Sequence, residues 1–158
     1  AALFWFARRH GMRFVEAVDR FCQSAAIAAT MVRVGNFFNS EIVGRATDLP
    51  WAVRFVRYDH GAVARHPTQI YEFLLGLATL AALEIADRLG GREERPVGLI
   101  TGVFCVVYFG GRFGIEFLKE YQVLTGGLTM GQWLSIPPVL WGAWLLVRAR
   151  REGADRHY

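Results

Sequence analysis

Residues 70–89 read IYEFLLGLATLAALEIADRL, an apolar run with acids only near its ends. Twenty such residues are about what an α-helix needs to cross a bilayer core. Two further runs, VGLITGVFCVVYFGGRFGIEFL (97–118) and MGQWLSIPPVLWGAWLLV (130–147), approach the same length. With 53% hydrophobic and 14% aromatic residues in 158, composition favours a membrane protein over a soluble domain. Each run also carries polar groups that a plain anchor does not require.

Charge supports the same reading. The chain has 18 Lys and Arg, all but one of them Arg, against 14 Asp and Glu. The arginines gather at the ends of apolar runs: Arg8, Arg9, Arg13 and Arg20; Arg88, Arg92 and Arg95; Arg148, Arg150, Arg151 and Arg156. No basic stretch is interleaved with a base-reading pattern, so nucleic acid is not an expected partner. The positive-inside rule places these clusters on the cytoplasmic side. They share that side only if FVEAVDRFCQSAAIAATMVRVGNFF returns through the membrane as a less hydrophobic helix packed inside a bundle. Cys22 and Cys105 lie in apolar surroundings without CxxC or Cys/His spacing, which points to packing and to neither a metal site nor a disulfide.

The expected fold is an all-α polytopic membrane protein, a helical bundle with a small extracytoplasmic arm between its second and third helices. The units are a helix tail at 1–7, a helix at 14–39, the arm at 40–66, helices at 68–89, 97–118 and 130–148, and a cytoplasmic tail at 149–158. AALFWFA opens inside an apolar run without Met or signal-peptide flanks, so it reads as the end of a helix that begins upstream. In the arm, Pro50, Asp59-His60-Gly61 and Pro67 mark turns around short alternating stretches, the pattern of a hairpin. Its Arg45, Arg54, Arg57 and Arg65 depart from the positive-inside count and suit anionic headgroups at the outer surface.

Four polar constellations interrupt the apolar frame. In MVRVGNFFNSEIVGR (31–45), Arg33, Asn36, Asn39 and Glu41 follow helical spacing and form one polar face, while Gly35 and Gly44 permit close backbone approach. An unpaired charge at lipid depth costs roughly 2.5–3.5 kcal/mol or more, so these groups pair or line a wet cavity. Two readings stand: an interhelical clamp, Arg33 with Glu41 or with an acid on another helix, or an anion site in which the guanidinium grips phosphate through paired N–H donors. In GGRFGIEF, Arg112 and Glu116 form an i,i+4 pair that neutralises itself, or else Gly110, Gly111 and Gly114 clear space for a bulky group beside Arg112. In RHPTQIYE (65–72), Pro67 suits a first helical turn, Thr68 or His66 a cap, and Gln69, Tyr71 and Glu72 begin the helix. His66 is a structural residue or a proton acceptor. In LTMGQWLSIPP, Gln132 and Ser135 open a helix that Pro137-Pro138 is expected to break.

Taken together and in this order, VRVGNFFNSEIVGR, RHPTQIYE, GGRFGIEFLK and MGQWLSIP resemble the prolipoprotein diacylglyceryl transferases of bacterial inner membranes, and the resemblance covers essentially the whole chain. The first stretch follows the family signature, approximately G-R-x-G-N-F-x-N-x-E-x-x-G. The resemblance implies transfer of the diacylglyceryl group of phosphatidylglycerol to the lipobox cysteine of a preprolipoprotein, without cofactor or metal, by a multi-pass enzyme with a cytoplasmic C-terminus. It implies Arg33 and Arg112 as catalytic. It implies Arg33, Asn36, Asn39, Glu41, Gly44, His66, Gln69, Tyr71 and Glu116 around the substrates, with Glu116 steadying Arg112. Family members carry further helices upstream with a tyrosine and a histidine-glycine motif, and the resemblance directs the search for the thiol's activator there. Val32 and Ser40 stand where glycine is usual, and Lys119 where arginine is usual. An anion-transporter fragment and a structural membrane subunit are the alternatives; the first predicts an internal repeat, which the sequence lacks.

Overall fold

The computed structural model describes residues 2–120 and 127–154. Ala1 and residues 155–158, which hold Arg156 and His157 of the expected tail, lie outside the described residues, as do 121–126. The chain is mostly helical: α1 (Ala2–Arg9), α2 (Phe14–Phe38), the one-turn α3 (Val56–Asp59), α4 (Thr68–Leu89), α5 (Leu99–Phe104), α6 (Gly110–Glu116) and α7 (Met130–Ala154). A π-helical turn at Cys105–Phe109 joins α5 to α6, so that Leu99–Glu116 runs as one span. Among the described residues two helices, Thr68–Leu89 and Leu99–Glu116, are long and apolar enough to cross a membrane.

Small residues decide how the helices meet. Where α2 crosses α4, a Cβ added at Gly76 would lie 2.0 Å from Thr30 Oγ1. Where the π turn after α5 meets α7, a Cβ at Gly142 would lie 2.6 Å from that of Cys105. Close backbone approach replaces the hydrophobic driving force that lipid does not supply. Thr30 and Thr79 turn their hydroxyls back onto the carbonyls of Ala26 and Leu75 at 2.7 and 2.8 Å, satisfying them within the helix. Cys22, Ala26, Leu83 and Ile100 form the buried core between α2, α4 and α5, and Cys22 and Cys105 are both buried free thiols.

One contact sets the start of α5 from another helix. Asp19 of α2, 5% exposed, accepts from the Gly98 and Thr101 N–H groups at 2.7 Å each and from Thr101 Oγ1 at 2.5 Å. A carboxylate at a helix N-terminus meets otherwise orphaned donors and the positive end of the helix dipole.

The proline pair does not break α7, which runs unbroken from Met130 to Ala154 through Pro137 and Pro138. Gln132 and Ser135 before the prolines and Leu145 and Ala149 after them are buried. Packing on α5, the π turn and α6 therefore holds the helix on both sides of the missing donors, which outweighs the local preference.

Residues 40–66 fold as a small arm. Val53–Arg54 and Ala64–Arg65 pair antiparallel as β1 and β2, with α3 in their loop. Three of its four arginines are engaged inside the molecule. Arg45 Nε donates to the Lys119 carbonyl at 3.2 Å, and Arg54 Nη1 donates to the carbonyls of Gly61 and Ala62 at 3.1 and 2.9 Å. Arg65 joins Asp59 at 2.9 Å and Glu120 at 2.8 Å, with its guanidinium 4.9 Å from the Tyr58 ring centroid. The hydrogen bond from Arg65 holds the Asp59 carboxyl below its ordinary value. A carboxyl with a depressed folded-state value contributes stability above its unfolded value and loses it as pH falls through the folded one. The arm is therefore expected to loosen below about pH 4. Trp51 fluorescence titrated with acid checks this, and Asp59→Asn should remove the transition.

Candidate functional site

The end of α2, the start of α4 and the end of α6 meet around a buried ionic cluster. Arg33 Nη1 lies 3.0 Å from Glu72 Oε2, and Lys119 Nζ bridges Glu72 Oε1 at 2.8 Å and Glu116 Oε2 at 3.0 Å. Relative exposures are 9% for Arg33, 3% for Glu72, 2% for Glu116 and 2% for Lys119. Two cations and two carboxylates cancel formally, which is what allows four charges to sit together out of water.

Backbone pairing carries Lys119 into place. Gly44 N donates to the His66 carbonyl at 3.0 Å, Arg45 N to Leu118 at 2.8 Å and Glu120 N to Val43 at 3.1 Å, so residues 43–45 lie between 65–66 and 118–120 as a short middle strand. The close approach requires glycine: a Cβ at Gly44 would fall 2.5 Å from both Cβ and O of His66. Gly44→Ala is expected to cost about 1–3 kcal/mol through overpacking against backbone that cannot move aside. A lowered thermal unfolding midpoint in detergent checks it. Gly35, in contrast, faces open space and packs against nothing.

The turn between α2 and this strand is strained. Ser40 and Ile42 take φ of 57° and 55°, in the left-handed region. Glycine adopts that conformation freely, which gives a physical reason for the glycine that the family resemblance associates with position 40. The turn is held by Gln69 Nε2, which donates to the Glu41 carbonyl at 2.6 Å, and by Thr68 Oγ1, which donates to that of Ile42 at 2.7 Å.

On the other side, Thr129 opens α7 with a capping box. Its hydroxyl accepts from Gln132 N at 3.2 Å while Gln132 Oε1 accepts from Thr129 N at 2.9 Å. The same hydroxyl donates to Glu116 Oε1 at 3.1 Å. Gly131 leaves the slot that Glu116 fills, since a Cβ there would be 2.4 Å from the carboxylate.

The residues singled out from sequence do not all meet at one place. Arg33, Glu116, Gln69 and Gly44 belong to the buried centre or its frame. Asn36, oriented to suit its neighbours, accepts from Arg33 Nη1 and donates to Glu41 Oε2, each at 3.2 Å. Asn39 is exposed at the C-cap of α2 and its side chain does not join the cluster. His66 and Tyr71 stand at the arm: Trp51 Nε1 donates to Tyr71 Oη at 2.8 Å, and that oxygen lies 3.2 Å from His66 Nδ1. Because the indole only donates, the Tyr71 hydroxyl is free to donate to Nδ1. The same oxygen can also accept from Nδ1–H, so the contact suits either tautomer of His66.

Arg112 differs from the i,i+4 expectation. Glu116 turns to Lys119 and Thr129, and half-buried Arg112 has no ion-pair partner among the described residues. Gly110 and Gly114 face open space, whereas Gly111 packs on Leu75 of α4. Glu72 and Lys119, read from sequence as a helix start and as a departure from the family pattern, are the centre of the cluster. Each lies three residues from a site residue, Gln69 and Glu116, and that same-face spacing was the available signal.

Two apolar grooves lie between the helices, the first of them bordered by Arg33. One, about 190 Å³, is lined by Arg33, Val34, Phe37, Gln69, Ile70 and Phe73; the other, about 260 Å³, by Gly110, Phe113, Ser135, Ile136, Val139 and Leu140. A polar hollow beside Glu16, Asp19, Arg20 and Arg95 lies at the opposite end of α2, away from this chemistry.

Apolar membrane-length helices enclosing a compensated ionic centre with greasy grooves beside it define a helical membrane protein with a polar site between its helices. The family model of prolipoprotein diacylglyceryl transferase matches residues 1–148, and the chain belongs to that family. It is similar to proteins named phosphatidylglycerol–prolipoprotein diacylglyceryl transferase from Methylobacillus flagellatus (39% identical over 155 residues, 95% of this chain). Similar proteins of the same name come from Solidesulfovibrio magneticus (40% over 153 residues, 94%) and Idiomarina loihiensis (36% over 157 residues, 96%). The chain spans 57% of the length of each of these relatives.

Proposed function

We propose that the chain forms the headgroup-binding part of a phosphatidylglycerol–prolipoprotein diacylglyceryl transferase, a multi-pass bacterial inner-membrane enzyme with an extracytoplasmic arm and a cytoplasmic C-terminus. The observation that carries this is Arg33: it is nine-tenths buried, held by Glu72 and Asn36, and its Nε has no partner among the described residues at the edge of an apolar groove. Such a guanidinium is positioned to take a phosphate oxygen while acyl chains occupy apolar surface.

In the reaction, the lipobox thiol loses its proton to a base. Its sulfur then forms a bond to the glyceryl carbon as the bond from that carbon to the phosphate oxygen breaks. The electron pair leaves with glycerol phosphate, so negative charge grows on the phosphate. Preorganised cationic donors aimed at that charge lower the barrier. Arg33 and Arg112 are assigned this role. Arg112, with no ion-pair partner among the described residues and with Gly110 and Gly114 facing open space, is assigned to the leaving group. Glu116 and Lys119 position rather than react.

The clamp reading shares the Arg33–Glu72 pair, which joins α2 to α4. The two readings part at Arg112, which clamps no acid among the described residues. The test is thioether formation on a lipobox peptide in phosphatidylglycerol vesicles by the full-length protein and by Arg112→Ala. Product from the parent and none from a folded variant supports the assignment; equal product from both removes Arg112 from it.

A further inference from the structure

We propose that residues 49–58 of the arm rest on the anionic lipid surface of the outer leaflet, with Trp51 and Val56 in the headgroup region and Arg57 on lipid phosphate. This goes beyond the transferase chemistry and rests on one part of the reading above, that the arm is extracytoplasmic.

The segment reads LPWAVRFVRY and contains no acid. Phe55 turns inward: it is 3% exposed and its ring centroid lies 5.8 Å from that of Phe37 in α2. Leu49, Trp51, Val56 and Tyr58 stay outside, at 38%, 56%, 69% and 48% exposure. A water-facing surface shows such groups singly, whereas their crowding into ten consecutive residues marks a contact with a partner or a membrane.

Position favours the membrane. The arm leaves the end of α2 and enters α4, one of the two described helices long and apolar enough to cross a bilayer. Phe38, 72% exposed, closes α2, and Ile70, 38% exposed, lies in the first turn of α4, so the exposed apolar surface of the helices continues into the arm. Trp51 sets the level. Its Nε1 donates to Tyr71 Oη at 2.8 Å, which ties the indole to the start of α4 while more than half of the residue remains open. An indole with its N–H satisfied and its ring exposed beside the end of a membrane-length helix has the posture of an interfacial aromatic residue.

Charge selects the lipid. Arg65 is spent on Asp59 and Glu120. Arg54 donates to the carbonyls of Gly61 and Ala62, contacts that satisfy its donors without cancelling its charge. Arg57 is exposed in α3 and has no ion-pair partner among the described residues. The acids nearest to it in sequence are Asp59, already held by Arg65, and Asp48, which precedes the segment. Arginines beside exposed aromatic and aliphatic groups complement a surface that is apolar beneath and anionic above.

The experiment places a nitroxide at Val56→Cys in the full-length protein, in phosphatidylcholine bilayers with and without phosphatidylserine. Cys22 and Cys105 are buried, and phosphatidylserine supplies charge without the glycerol headgroup of the proposed substrate. Accessibility to oxygen against a nickel chelate reads the depth. With phosphatidylserine present the label is expected to be immersed by about 5–10 Å. There Arg57→Gln should lower the ratio of immersed to lifted label about fivefold, the worth of one arginine at an anionic surface, and it should change nothing in phosphatidylcholine alone. Trp51, read without a label as the difference in quenching by acyl-brominated lipid between parent and Trp51→Phe, should lie within reach of the bromine. A label as open to the chelate as that of a free peptide, or a Trp51 that bromine does not quench, overturns the proposal. So does a label hidden from oxygen and chelate alike, which marks a second copy or a peptide partner on this segment. Immersion indifferent to both phosphatidylserine and Arg57 overturns the anionic assignment. Reduction of the label by ascorbate from the cytoplasmic face alone would instead overturn the extracytoplasmic reading, a separate result because depth is read without regard to side.

Discussion

In the full-length transferase proposed above, Arg33→Lys is expected to reduce thioether formation by about 10²- to 10³-fold, the range for removing one preorganised donor from a developing oxyanion. The charge survives the change, so Coulomb attraction alone cannot account for such a loss. Arg33 is held in a fixed orientation: Nη1 meets Glu72 and the Asn36 oxygen, and Nε has no partner among the described residues. A lysine ammonium is one compact donor centre and would be drawn to Glu72, leaving nothing aimed at the groove. Product formation across phosphatidylglycerol concentrations, beside the unfolding midpoint of the same preparation, separates lost chemistry from lost structure. A folded variant with near-parental turnover would remove Arg33 from the mechanism.

Lys119→Met is expected to destabilise the fold by about 3–5 kcal/mol, the cost typical of breaking a buried ion pair by removing one partner. Lys119 is 2% exposed and faces both Glu72 and Glu116. Without it, Glu72 keeps Arg33, but among the described residues Glu116 retains only the Thr129 hydroxyl. The loss should therefore be largely recovered by adding Glu116→Gln, which restores neutrality and still accepts from Thr129. A double-mutant cycle read by reversible unfolding in mixed micelles should show coupling above about 1 kcal/mol. Additive effects would mean that the cluster is not the electrostatic unit its distances describe. Lys119→Arg, which keeps the charge, should cost far less than Lys119→Met. The geometry calls here for a bridge between two carboxylates, so the absence of a guanidinium at this position does not remove a phosphate contact.

The sequence by itself determined the helices, because their signals are local. Apolar length marked α4 and the span from Leu99 to Glu116, and turn residues around Pro50, Asp59-His60-Gly61 and Pro67 marked the arm and its hairpin. The polar face containing Arg33 was legible for the same reason: charge at helical spacing inside apolar sequence is expensive unless paired or used. A helix over 130–148 was legible from its apolar length, but its unbroken course through the prolines was not. Pro137-Pro138 carries a strong local stop signal, and only burial on both sides of it shows that packing prevails. Partners were not legible either. Nothing in the local sequence tells whether Glu116 turns to Arg112, four residues back, or to Lys119, three residues ahead. The choice depends on the strand that draws Lys119 inward beside Gly44 and on the Thr129 hydroxyl arriving from α7. Tertiary structure thus decided which charges cancel and which remain open. Cancellation depends on distances between segments far apart in sequence, and those distances do not exist until the helices have packed.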